Sequence, residues 1–158
     1  MRTTFAVSLF VASALALSAA EYGHASNGAL LPDRSTTPGA VLTTNTAKVC
    51  KPGYAGTVRN VPASVKNQAY AEYGAKRKAG VCCEVDHLIS LELGGSNSLL
   101  NLWAEPYEPR PGAHEKDLVE NYLHYLHREV CAGRMDIQAA QDLIRTDWTK
   151  ALAAAQGK

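Results

Sequence analysis

Asp86 and His87 stand side by side in the run Glu84-Val85-Asp86-His87-Leu88-Ile89-Ser90-Leu91-Glu92-Leu93-Gly94-Gly95. They are the first two parts that phosphodiester hydrolysis would need. That reaction calls for a base to take a proton from water, and for a cation to neutralise charge building on the phosphorane oxygens and the departing oxygen. With an ordinary pKa of about 6.5, a histidine is neutral at physiological pH and still able to accept a proton, so His87 is the candidate base. The Asp86 carboxylate offers the anionic oxygen a hard cation prefers. Together they make half of a site. Neighbours in a regular strand point to opposite faces, so for both to reach one phosphate the strand must end, bulge or twist there. The Gly94-Gly95 pair downstream permits irregular backbone.

The elements that would position this pair can be read from pattern. Val61-Pro62-Ala63-Ser64 opens a helix running to about Tyr73, with Val65, Ala69, Tyr70 and Tyr73 on one face and Gly74 as its stop. Cys82 to Leu93 and Leu99 to Ala104 read as two strands of a hairpin with an irregular connection. Pro106, Pro109 and Pro111 then interrupt regular structure. Ala113 to Cys131 is a helix with Val119, Tyr122, Leu123, Leu126 and Val130 on its apolar stripe. Asp136 caps a last helix whose stripe is Ile137, Ala140, Ile144, Trp148 and Leu152. The expected class is α+β, in the order helix, strand, strand, helix, helix.

Beyond the glycines come Asn97, then Asn101-Leu102-Trp103, then His114-Glu115-Lys116-Asp117 at a helix start. With these the segment resembles the HNH nucleases of the ββα-metal superfamily, which share an Asp-His pair closing the first strand, a Gly-Gly connection, an Asn before an apolar second strand and a third ligand near the following helix. A looser likeness, from Cys50 to Trp148, is to small exported HNH-like proteins with the same DHLI, LELGG and NLW strings; Ser90 and Ala104 stand where those usually carry proline. The resemblance implies a ββα-metal core with flanking helices. It implies that Asn101 ties the connection through backbone hydrogen bonds and so orients His87, and that His114 joins Asp86 on the metal. Asp117, one turn along the same helix face, is the reserve ligand. One divalent ion is implied, Mg²⁺ first, with Mn²⁺, Zn²⁺ or Ni²⁺ as alternatives. His124 and His127, three apart with no nearby carboxylate, read as a solvated helix face, and Trp103 reads as core.

The charge is segregated. The 158-residue chain carries a formal net charge of only +1, yet 47–80 holds seven cations against one carboxylate and 81–120 eight carboxylates against two cations. A cationic surface for phosphates beside carboxylates for a cation suits a metal-dependent enzyme acting on nucleic acid, and the Lys76-Arg77-Lys78 cluster is the expected phosphate contact. Met1-Arg2 followed by an uncharged Ala/Leu/Val/Ser run reads as a signal peptide over 1–25, with Ser18-Ala19-Ala20 or Gly23-His24-Ala25 as cleavage sites. Residues 26–46, rich in Ser, Thr, Asn, Gly and Pro, read as a flexible leader, and 47–158 as the nuclease domain. Export to the periplasm or beyond places the four cysteines in an oxidising compartment, favouring two disulfides over a zinc site, for which there is no CxxC pair. Strand parity favours Cys83 with Cys131 and Cys82 with Cys50. The expected protein is a monomer, free of the membrane once cleaved, that hydrolyses DNA or RNA with little sequence specificity; the sequence leaves open whether it has an immunity partner. The alternative is a catalytically inactive exported module that binds nucleic acid or another anionic envelope polymer.

Overall fold

The computed structural model describes residues 18–75, 82–106 and 115–155, with 115–122, 152, 154 and 155 described as backbone only. Among the described residues the architecture is mixed α+β: two small antiparallel sheets and six α-helices. Strands β1 (Gly23–His24) and β2 (Leu30–Leu31) form a short ribbon. Helices α1 (Thr46–Val49), α2 (Tyr54–Val58) and α3 (Ala63–Glu72) come next, then strands β3 (Cys83–His87) and β4 (Leu102–Pro106). Helices α4 (Glu115–Cys131), α5 (Ile137–Asp147) and α6 (Thr149–Ala155) complete the chain.

The hairpin β3–β4 is the centre, in the register Cys83↔Pro106 through Asp86↔Trp103 to His87↔Leu102. Leu102, Trp103 and Ala104 of β4 are all buried, as a strand covered on both faces requires. Helix α3 packs on both strands; of the expected stripe, Ala69 and, just past the helix, Tyr73 are buried, while Val65 and Tyr70 are half-buried. Leu126 and Val130 of α4 join Ile137, Ala140, Ile144 and Trp148 around Ile89, Leu93 and Trp103 in one core. The Asp136 carboxylate accepts from the N–H groups of Gln138 and Ala139, capping α5.

Residues 26–46 are packed rather than a loose leader. Thr37 is fully buried, its hydroxyl bonded to Tyr73 Oη at 2.7 Å and donating to the Leu102 carbonyl at 3.0 Å. The Leu100 carbonyl accepts from Gly39 and Ala40 N–H, and Trp148 Nε1 donates to the Leu30 carbonyl. Hydrogen bonds, not an apolar stripe, hold this stretch, which is why its composition suggests a loose chain. The packing extends upstream: Tyr22 donates to the Ala104 carbonyl at 2.6 Å and its ring stacks with Tyr73.

The disulfides are Cys50–Cys131 and Cys82–Cys83, correcting both expected pairings. Helix α1, which the sequence pattern does not reveal, ends at Cys50 and packs on α4, bringing Cys50 to Cys131 with Cα atoms 5.5 Å apart. Cys83 is indeed turned inward, but it sits on the strand that α3 covers and closes with its chain neighbour. No helix among the described residues is long and apolar enough to cross a membrane.

Candidate active site

Strand β3 ends at His87, the interruption that the adjacent Asp and His demand, and both residues line one cavity of about 280 Å³. The backbone after His87 is irregular and held largely by Asn101. Leu88 N–H donates to the Asn101 carbonyl, and Ile89 N–H donates to Asn101 Oδ1 at 2.9 Å. Asn101 Nδ2 donates to the Ile89 carbonyl at 3.0 Å and the Ser96 carbonyl at 2.8 Å. Ser90 then opens a 3₁₀ turn at Leu91–Leu93, which buried Gln141 of α5 holds by donating to the Leu93 carbonyl. At Gly95 a Cβ would stand 1.8 Å from the Ile89 oxygen and 2.9 Å from Asn101 Nδ2, so this clamp closes only over glycine.

Asn101 itself does not touch the imidazole of His87 in these bonds; Asn97 does, its Oδ1 lying 3.0 Å from His87 Nε2. Asn97 Nδ2 donates to the Val58 carbonyl at 2.7 Å, and that bond turns Oδ1 toward the ring. An amide oxygen can only accept, so Nε2 carries the hydrogen and Nδ1 keeps the basic lone pair. Burial pushes the His87 pKa below its ordinary value; the Asn97 bond pulls it up, and the charges of Arg59 and Lys66 push it further down. The neutral form of a proton acceptor is thereby favoured.

The cavity is also lined by residues the sequence pattern does not single out. Arg59, at the end of α2, contributes positive charge beside His87. Glu105 of β4 adds a carboxylate, and Trp103 lines the wall with Nε1 buried and without an acceptor among the described residues. His124 of α4 enters the same cavity, its Nδ1 2.7 Å from Glu92 Oε2. His124 is exposed, as the solvated-face reading expects, but it is not without a carboxylate: Glu92 comes from the 3₁₀ turn, a different element. His127 faces elsewhere, its Nε2 3.1 Å from the Val49 carbonyl. A carboxylate holding Nδ1–H leaves Nε2 of His124 as a free donor atom, the arrangement in which metal-binding histidines are oriented.

Asp86, His87 and Asn101 are therefore gathered at one end of the hairpin. His114 and Lys76-Arg77-Lys78 lie outside the described residues, as does the side chain of Asp117. Comparison with protein-family models, with curated proteins and with solved structures finds no match for this chain.

Proposed function

We propose that this chain is a small exported nuclease of the ββα-metal type, hydrolysing phosphodiester bonds of DNA or RNA with His87 as general base. The observation that carries the reading is the convergence of Asp86, His87 and the Glu92-held His124 on one cavity. Burial biases His87 toward its neutral form, the Asn97 bond leaves Nδ1 as the accepting atom, and Asn101 fixes the backbone that follows it at Ile89. Arg59 sets a positive charge where a phosphate would approach. The Trp103 N–H, without an acceptor among the described residues, is a donor suited to an anionic oxygen in that space.

The donor set fits a divalent cation. Among the described residues Asp86, Glu105 and His124 line the cavity but are not drawn together into a ligand cluster; they would supply oxygen and nitrogen ligands of the kind Mg²⁺, Mn²⁺ or Zn²⁺ accepts once they close on an ion, with His114 and Asp117 as the further ligands the sequence nominates. Such an ion would neutralise charge developing on the phosphate oxygens. Backbone contact without a base-reading element implies little sequence specificity. The signal-like N-terminus and the two disulfides support export to the periplasm or outside the cell.

The deciding experiment is nicking of supercoiled plasmid by oxidised protein, with Mg²⁺, Mn²⁺ or Zn²⁺ and with chelator. Metal-dependent nicking that His87→Ala abolishes is the expected result. No nicking under any metal, or full activity in His87→Ala, removes the enzyme reading; salt-sensitive binding retained without cutting would favour an idle binding module instead.

A further inference from the structure

A second cluster of ligand atoms lies away from the cavity, where α1 meets the C-terminal end of α4. Cys50 comes directly after α1, while His127 and Cys131 are one turn apart on one face of α4. The two Sγ atoms and one ring nitrogen of His127 all lie within 4.8 Å of one another, and Cys131 Sγ is 3.4 Å from His127 Nε2. Ligand atoms at ordinary bond lengths from a tetrahedral Zn²⁺ stand roughly 3.5–3.8 Å apart. The Cys131–His127 spacing is already close to that. The two sulfurs, now bonded to each other, would have to part, and Cys50 Sγ, already within 4.8 Å of the His127 ring, would settle at the same spacing.

We infer that Cys50, Cys131 and His127 form a Zn²⁺ site when the disulfide is reduced, so that this corner of the fold is stapled either by a covalent bond or by a metal. A dithiol reductant supplies two electrons and two protons to the S–S bond, giving two thiols and closing to its own disulfide. Zn²⁺ then displaces one proton from each thiol as the two Zn–S bonds form. His127 binds through Nε2, giving up its contact with the Val49 carbonyl while its proton moves to Nδ1, so no third proton is released. Cys131 is exposed, which leaves the fourth position open to water. The inference is independent of the nuclease reading, because none of its ligands lines the cavity.

The test is titration of the reduced full chain with Co²⁺, a spectroscopic stand-in for Zn²⁺, using a phosphine reductant that does not compete for the metal. One Co²⁺ per chain with thiolate charge-transfer and tetrahedral bands is expected. His127→Ala should weaken binding roughly tenfold or more, since even a ligand's outer partners are worth that much. The Cys50→Ser/Cys131→Ser variant should lose the bands altogether, and Cys82→Ser/Cys83→Ser should keep them. Absence of the bands in the reduced wild type overturns the inference. So do bands that survive in His127→Ala at full affinity, or that vanish only with Cys82 and Cys83.

Discussion

Replacing Asn101 by alanine separates the scaffold from the chemistry, and its cost can be worked from the bonds it makes. The side chain is fully buried and satisfies three backbone groups: Ile89 N–H, the Ile89 carbonyl and the Ser96 carbonyl. Alanine orphans all three. A buried polar group left without a partner costs about 1–3 kcal/mol. Carbonyls, with a second lone pair, sit toward the lower end, so the sum is roughly 3–6 kcal/mol. Against a total stability of about 5–15 kcal/mol, that is a large fraction. Urea unfolding of oxidised protein should show the midpoint falling sharply at unchanged slope, with Tm lowered by roughly 10–20 °C. Asn97→Ala is the control, because its bonds to His87 and Val58 are only partly buried and water can replace them. It should cost about 1 kcal/mol and lower the His87 pKa further, read from imidazole proton shifts. An Asn101→Ala protein within about 1 kcal/mol of wild type would refute the idea that this side chain substitutes for strand pairing.

Because burial holds the folded His87 pKa below the unfolded value, the unfolded chain takes up a proton first as pH falls. The stability His87 contributes is therefore complete above pH 6.5 and is lost between there and the folded pKa; unfolding free energies of wild type and His87→Gln across pH 8 to 5 should diverge in that sense, and a reversed slope refutes it. Gly95→Ala drives a Cβ into the Ile89 oxygen and should be among the most destabilising single changes, whereas Gly56→Ala in α2 meets nothing within 4 Å and should stabilise by about 0.5–1 kcal/mol; denaturant midpoints compare them. Trp103→Phe removes a donor that has no acceptor among the described residues, so the stability cost should be only the roughly 1–2 kcal/mol of the smaller buried ring, while kcat/KM on plasmid falls roughly tenfold, the value of one hydrogen bond to a charged oxygen. If the proposed leader is removed on export, the cut should fall after Ala20, since cleavage after Ala25 would remove Tyr22 and β1; the new Glu21 ammonium would then face Asp33, whose carboxyl the Ser35 hydroxyl and Glu21 N–H already hold at about 2, and intact-mass analysis of protein recovered after export should give Glu21 as the first residue.

What was legible in the sequence is what local pattern dictates. Pro62 and Gly74 punctuate α3, the apolar stripe of α5 runs Ile137, Ala140, Ile144, and the turn-rich stretch between two apolar runs marks the hairpin. Helices α1 and α2, at four and five residues, are too short to show a period, so nothing in the pattern brings Cys50 to α4 and strand parity misassigns the disulfides. The adjacent half of the site, Asp86 and His87, could be read directly. The imported half could not: Glu92 reaches His124 from a separate turn, and Arg59 arrives from a helix with no motif. A histidine's partner across the fold leaves no mark at i±3 or i±4.

The end of β3 and the opening of the cavity share one cause. In an antiparallel hairpin, the register that pairs His87 with Leu102 would continue toward Ile89 and Leu100. Instead the Asn101 amide takes both the N–H and the carbonyl of Ile89, while the Leu100 carbonyl turns away to accept from Gly39 and Ala40. Backbone groups are thus satisfied without a ladder, and the strand stops one residue before it would have to be paired again. Asp86 and His87, the last two residues of the ladder, both border one space, and the 3₁₀ turn beyond them delivers Glu92 to the His124 side of it. Leaving those groups bare would cost several kcal/mol, so the irregular loop that a catalytic pair requires exists here because one buried amide stands in for a neighbouring strand.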